Sequence, residues 1–363
     1  MTSRRLLFYT HALVGGGAER VWAQLAAGFA ARGAEVDFVV DFEAQANMRH
    51  LGDKARLTVL PRGHGAATWA LARLLRKRRP HASLSAISVS NLKHTAAAML
   101  ARRRDRAILS YHGFYESERE KLSNIGYRLT HALTQKTAAT IAVSHSLRDD
   151  LIARFNVAPD HIVAIFNPAA PDPFPPALSC AELAKRAPLV VAAGRLTHDK
   201  NFAGLLRAFA KVETPGAHLR IFGEGEQRNP LLELARSLGL EDRVKLAGYS
   251  DNIPDELGQA RCFVLSSFKE TFGLVCVEAL ACGLPCVVTQ SGGPPEIVSS
   301  PELGETVAVD RPDAMAAAID RALRAPGDPA PRQARARDFS LDAALDHYAE
   351  IIARVMSHAR SAV

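Results

Sequence analysis

The stretch FKETFGLVCVEALACGLPCVV, residues 268–288, decides how this chain is read. The run is almost wholly apolar, yet it places Glu270 near its start and Glu278 in its middle. Gly273 lies between them, and Gly283 and Pro285 form a stop. Upstream, CFVLSS (262–267) has the composition of a buried strand, so Phe268 to Phe272 reads as its exit loop and 273–282 as a helix. A buried carboxylate is costly unless something pairs with it. Glu278 falls about 7 to 8 Å further along the helix axis, at about 1.5 Å per residue. A glycosidase pair would stand about 5 to 9 Å apart across a bound sugar, but here a helix N-terminus separates the two acids. The pattern predicts instead that the amides of Phe272, Gly273 and Leu274 receive a phosphate, with Glu270 on one side and Glu278 on the other accepting hydrogen bonds from hydroxyl groups. Sugar, diphosphate and ribose in that order make a nucleotide-sugar.

Outward from this stretch, strand-like runs alternate with helical patterns throughout, as in an α/β fold with parallel sheets. The first half offers RLLFYT (5–10), VDFVV (36–40), LTVL (57–60), SLSAISV (83–89), AILSY (107–111), TIAVS (140–144) and IVAIF (162–166). Between the first two, Val21, Leu25 and Phe29 recur four apart on one helix face. The proline-rich FNPAAPDPFPPALSC (166–180) reads as an exposed interdomain linker. A second series follows: APLVVAAG (187–194), HLRIFG (218–223), RVKLAG (243–248), CFVLSS and PCVVTQ (285–290). Helices are expected near 202–211, 226–239, 251–259 and 273–282, with a last one over 341–359. The expected organisation is an acceptor-side domain at 1–168, a linker at 169–186, a nucleotide-sugar domain at 187–340 and a closing helix in 341–363. Two doubly wound domains would face a central cleft at the carboxyl ends of their strands.

With 363 residues, 48% of them hydrophobic and 23% charged, the chain can fill two cores. No run approaches the roughly 20 apolar residues of a membrane span, and the N-terminus lacks the build of a signal peptide. Five cysteines without zinc-like spacing read as mostly buried free thiols in a reducing compartment. The net charge of +7 is uneven: residues 1–168 hold 24 Lys+Arg against 13 Asp+Glu, the remainder 21 against 25. Much of the excess lies in RLLRKRRP (73–80) and ARRRDR (101–106). Two such clusters on one half suit an anionic membrane surface. Nothing resembles an RNA-binding signature, a helix-turn-helix or an aromatic platform, so nucleic acid is not an expected partner.

Two other strand-end loops carry chemistry. VGGGAER (14–20) brings Gly16 and Gly17 to a helix start, where amides can meet an anion. GRLTHDKNF (194–202) sets Arg195 and Lys200 between a strand end and a helix beginning near Asn201, so two cations and a helix N-terminus can converge on one diphosphate.

GGAER (16–20), GRLTHDKNF (194–202), FGEGEQR (222–228), the Glu-x7-Glu of 270 and 278 and GGPPEIV (292–298) together resemble the retaining glycosyltransferases of family 4, whose two-Rossmann-domain fold is called GT-B. The resemblance implies that Arg195 and Lys200 neutralise the donor diphosphate, that Glu270 binds the donor sugar and that Glu278 grips the ribose. It also implies that amides near Gly16 and Gly17 meet phosphate or acceptor, that Gly248 and Tyr249 contact the base, and that His112 lies near the donor sugar. The departing phosphate would accept the acceptor proton in a front-face displacement. No Asp-x-Asp motif is present, so neither metal nor cofactor is expected. The implied function is transfer from a nucleotide-sugar, its base uracil at the family level, to a lipid-linked or lipopolysaccharide acceptor, by a cytoplasmic enzyme peripheral to the membrane. A nucleotide-sugar epimerase of the same fold and a non-catalytic nucleotide-sugar-binding subunit remain alternatives.

Overall fold

In the first half, seven short strands pair in parallel: β1 (Arg5–Thr10), β2 (Glu35–Val40), β3 (Arg56–Val59), β4 (Ala82–Ala86), β5 (Ala107–Tyr111), β6 (Ala139–Ala142) and β7 (Ile162–Ala164), in the order β3-β2-β1-β4-β5-β6-β7. Phe8 of β1 registers with Phe38 on one side and Leu84 on the other. β1 is buried at every position but its first, as expected of a parallel strand covered on both faces. This computed structural model describes residues 4–117 and 121–361. The chain divides into a first unit, running to Pro168 and again from Leu341, and a second unit, Ala169–Ser340.

In the first unit, the helix Gly17–Ala31 buries Val21, Leu25 and Phe29 on its inner stripe. The helix Leu341–Ser361 packs against it: a Cβ at Gly28 would lie 2.6 Å from Leu345 Cδ1, Trp22 meets Tyr348 edge-on at 6.3 Å, and Arg32 pairs with Asp342 and Asp346. Residues 362 and 363 of the expected closing segment lie outside the described residues.

Three expectations need correction. SLSAISV is not a strand through Val89: β4 ends at Ala86, Ile87 takes a left-handed φ of 66°, and a helix begins at Ser88. Ser83 and Ser85, which do lie in β4, also supply buried hydrogen bonds. His94 sits between Ser85 Oγ (2.9 Å) and Ser83 Oγ (2.8 Å), while Asn91 joins Ser85 to the Ser110 carbonyl. The segment 169–186 is not a free linker either. Cys180–Lys185 is a helix opened by a capping box between Ser179 and Glu182. The irregular part upstream is fastened to the helix Ala330–Arg337: Gln333 bonds the Pro176 carbonyl and the Leu178 amide, and Arg337 covers the Phe174 ring. Prolines prevent a ladder, so the remaining carbonyls find side-chain donors.

The second unit carries β8 (Leu189–Ala193), β9 (His218–Phe222), β10 (Val244–Gly248), β11 (Cys262–Leu265), β12 (Cys286–Thr289) and β13 (Gly304–Val307), in the order β10-β9-β8-β11-β12-β13. The third correction is β13, a short polar edge strand that periodicity did not reveal. It pairs with β12 through Gly304, where a Cβ would lie 2.0 Å from the Cys286 carbonyl. The core gathers Val190, Leu205, Phe209, Ile221, Val264, Val287 and Ile319. Cys262, Cys276, Cys282 and Cys286 are buried free thiols, and Cys180 is exposed.

His94 is fully buried, and burial pushes its pKa down to about 3. The unfolded chain then takes up a proton that the folded chain refuses. Stability is therefore full above the ordinary histidine pKa and falls as pH drops below about 6.5, at ~1.4 kcal/mol per pH unit for one such group. Urea melts between pH 7 and pH 4.5 are expected to show His94→Asn with a shallower loss of stability than the wild type, by about that slope. Equal slopes would contradict a neutral buried His94.

Candidate active site

The strand order of the second unit reverses between β8 and β11, and the exit loops of these two strands carry the charged residues. The loops are pinned to each other by main chain and ring contacts. Ser266 Oγ donates to the Lys200 carbonyl (2.9 Å), the Phe268 amide donates to the Asp199 carbonyl (2.8 Å), and His198 stacks on Phe268 at 5.2 Å. Asn201 adopts a left-handed conformation and its side chain accepts from the Gly204 amide, so it ends the turn His198–Lys200 and caps the helix Phe202–Phe209. The result is an ion pair across the reversal point: Lys200 Nζ lies 2.6 Å from Glu270 Oε2, with both side chains less than one-fifth exposed. Asp199 is a more distant partner of Lys200, at 3.9 Å. Arg195 is exposed and forms no ion pair among the described residues.

The glycines of the neighbouring loops permit close backbone approach. At Gly223 (φ 136°) a Cβ would lie 1.9 Å from the Gly194 carbonyl, and at Gly225 it would lie 2.4 Å from the Leu196 carbonyl. Backbone bonds Leu196 N to Glu224 O (2.8 Å) and Gly223 N to Gly248 O (2.7 Å) tie the exits of β8, β9 and β10 together. Gly248 follows a register shift at a positive φ, and Tyr249 beside it is 71% exposed. Beyond β12, Gly292 bridges to Glu270: the Glu270 amide donates to Ser291 O and the Gly293 amide to Glu270 O, both at 2.9 Å. A Cβ at Gly293 would come within 2.2 Å of the Thr271 carbonyl.

The helix expected at 273–282 is Leu274–Ala281, with Gly273 as its N-cap at φ 100°. The Phe272 side chain is buried and packs edge-on against Phe339 at 5.7 Å, so this residue can offer a ligand only its backbone. Glu278 lies in the helix and is 6% exposed. In the second unit Lys200 and Glu270 are in contact, Gly248 is tied to the β9 exit, and Phe272, Gly273 and Leu274 lead from Glu270 into the helix, while Arg195 and Tyr249 are exposed on strand-exit loops and Glu278 is buried within the helix. Cations, a helix start and a carboxylate together suit a phosphate ester that also carries hydroxyl groups.

Gly16, Gly17 and His112 belong to the first unit. Gly16 is the N-cap of Gly17–Ala31, its carbonyl is held by Asn47 Nδ2 (3.0 Å), and the Glu19 carboxylate lies where a Cβ at Gly16 would stand. His112 follows β5, its Nε2 3.0 Å from Ser110 Oγ and its ring edge-on to Trp22 at 5.9 Å. Burial pushes its pKa down to about 4, so the ring is neutral near pH 7. Sequence reasoning missed Ser266, the capping side chain of Asn201 and the Gly292 bridge. A polar residue closing an apolar strand and an Asn before a helix were the available signals for the first two. Among the described residues, no group of three His, Cys, Asp or Glu side chains could hold a metal ion.

Two family descriptions match this chain: "Glycosyltransferase Family 4" over residues 15–173 and "Glycosyl transferases group 1" over residues 181–339. The chain belongs to the family 4 glycosyltransferases, and its two Rossmann-like units are those of the GT-B fold. Among its relatives, an uncharacterized glycosyltransferase of Methanocaldococcus jannaschii is 31% identical over 223 residues, 58% of this chain and 56% of that protein. The lipopolysaccharide core biosynthesis glycosyltransferase LpsE of Rhizobium meliloti is 34% identical over 172 residues, 46% of this chain and 50% of that protein. The chain therefore spans about half the length of these curated relatives. Among solved structures, HepE of Anabaena, crystallised with UDP and glucose, superposes with a TM-score of 0.82 at 19% identity, over 97% of this chain and 100% of that one. A glycosyltransferase from Rickettsia africae gives 0.82 at 18% identity, over 98% and 99%. At such identities these structures speak for the fold.

Proposed function

We propose that the chain is a retaining glycosyltransferase moving a hexosyl or N-acetylhexosaminyl group from a UDP-linked donor to a lipid-linked or lipopolysaccharide acceptor, without a metal ion. The Lys200–Glu270 pair at the strand reversal, beside the exposed Arg195 and the helix start at Gly273, carries this reading. The acceptor hydroxyl oxygen attacks C1 of the donor sugar while the bond from C1 to the phosphate oxygen breaks. The electron pair goes to that oxygen, which takes the acceptor proton, and attack from the leaving group's own face retains configuration. Lys200, Arg195 and the amides at Gly273 stabilise the charge that develops on the leaving diphosphate. Glu270 orients the sugar through its hydroxyl groups and Glu278 meets the ribose. The name of the HepE structure supports UDP as the nucleotide, and that of LpsE supports a lipopolysaccharide acceptor.

A peripheral place on the cytoplasmic face of a membrane is supported by how the first unit gathers its charge. The two basic clusters meet: Arg76 donates to the Leu100 carbonyl and Arg103 to the Pro80 carbonyl (2.7 Å). Trp69, Met99 and Leu100 are exposed on the same pair of helices. No helix among the described residues is long and apolar enough to cross a membrane. Anionic lipid would attract each basic residue near the surface by about 1 kcal/mol.

Calorimetric titration with UDP, GDP and ADP, each with and without EDTA, tests the donor half. UDP binding indifferent to EDTA, weakened roughly ten- to hundredfold by Lys200→Ala, is expected. Absence of binding by all three nucleotides contradicts the reading, and binding abolished by EDTA contradicts the metal-free part. Vesicle flotation tests the membrane half: binding to phosphatidylglycerol vesicles that fails at high salt is expected, and equal behaviour with phosphatidylcholine contradicts it.

A further inference from the structure

A second ionic network lies in the first unit. Asp41, just after β2, accepts three hydrogen bonds: from Tyr9 Oη to Oδ1 (2.8 Å), and from Lys93 Nζ and His11 Nδ1 to Oδ2 (both 2.5 Å). Asp41 and Lys93 are buried, and His11 is 31% exposed. Burial raises the Asp41 pKa, but the bonds from His11, Lys93 and Tyr9 and the Lys93 charge more than offset it and hold the carboxyl below its usual range. An ionised carboxylate can only accept, so His11 Nδ1 carries a hydrogen and Nε2 is the ring nitrogen left to face a ligand. Nε2 has no hydrogen-bond partner among the described residues.

The position of this nitrogen is informative. His11 leaves β1, and β1 and β4 flank the point where the strand order of the first unit reverses, the place where such sheets take ligands. Ile87, leaving β4, is a β-branched residue at φ 66°, a conformation that persists only where surrounding structure enforces it. Beside His11 the surface is apolar: Phe42 packs edge-on against its ring at 5.0 Å and is 43% exposed, and Val14 on the loop after β1 is 56% exposed. A ring nitrogen held in a fixed direction beside exposed apolar side chains fits a molecule with a hydroxyl-bearing head and an apolar tail.

We propose that His11 Nε2 hydrogen-bonds a sugar hydroxyl of an amphiphilic acceptor, that Phe42 and Val14 contact its apolar part, and that Asp41, neutralised by Lys93, is the positioning residue that holds the His11 ring through Nδ1. This rests on the glycosyltransferase reading and specifies its acceptor as a glycosylated amphiphile. The full chain, labelled with 15N-histidine, is titrated with octyl β-D-glucoside below its micelle concentration and, separately, with UDP. The glucoside is expected to move the His11 Nε2 resonance while Nδ1 keeps its protonated signature. His11→Phe is expected to weaken the glucoside about three- to tenfold, as one lost hydrogen bond would, and leave UDP unchanged. Asp41→Asn, where circular dichroism shows it folded, is expected to disturb the tautomer signature of His11. A His11 ring that ignores the glucoside while UDP binds overturns the proposal and leaves the donor reading intact. A ring that responds in a protein that does not bind UDP upholds a sugar-amphiphile site and overturns the donor reading. Silence to both ligands overturns both.

Discussion

The second unit is organised around one contact, Lys200 Nζ to Glu270 Oε2 at 2.6 Å, made across the reversal of its sheet. Each charge is too far from bulk water to be left alone, because a partly buried ion without its partner loses hydration it cannot replace. Here the two satisfy each other. A ligand that parts them must bring a negative group for the lysine and hydrogen-bond donors for the carboxylate, and a sugar joined to a diphosphate brings both. Much of the surrounding loop structure serves this pairing. Ser266, Asn201 and the Phe268 amide fix where Lys200 starts from, and the Gly292 bridge fixes Glu270. Gly223 and Gly225 let the exits of β8 and β9 lie backbone to backbone, which leaves Arg195 at the rim.

The first unit solves a different problem with the same topology. Around β4 and β5 it buries Ser83, Ser85, Ser110, Asn91 and His94 among the aliphatic residues, and His94 and His112 are neutral near pH 7. Buried polar groups that satisfy one another define a single arrangement, because any displacement leaves a donor or acceptor without a partner. Such an arrangement holds His112 in a fixed direction as a neutral hydrogen-bonding group. The basic surface of the same unit is formed separately, where the helices His64–Arg78 and Ser88–Leu100 end near one another.

The alternation of strands and helices, the placement of Lys200 and Glu270 at strand exits and the helix start at Gly273 were legible in the sequence because each is a local pattern. The Lys200–Glu270 pairing was not, since 70 residues separate the two and only the strand order joins them. The network of His11, Asp41 and Lys93 was missed for the same reason: three positions spread over the first half form no motif until β1 and β2 lie side by side. Periodicity also failed where residues serve hydrogen bonding rather than burial. The stretch 83–89 read as one strand, although the backbone turns at Ile87, and β13 escaped notice because a polar edge strand has no apolar alternation. The prolines of 166–180 excluded a ladder correctly but gave no sign that Gln333 would anchor that stretch.

The central claim is that Lys200 serves the diphosphate and Glu270 the sugar, and one comparison separates these roles. Glu270→Gln is titrated with UDP and with UDP-glucose beside the wild type. Loss of the glucose-dependent part of the affinity, with UDP itself held as tightly as before or more tightly because Lys200 has been freed, is the predicted result. Equal weakening of both ligands would mean that Glu270 acts only by holding Lys200 in place, and would contradict the account.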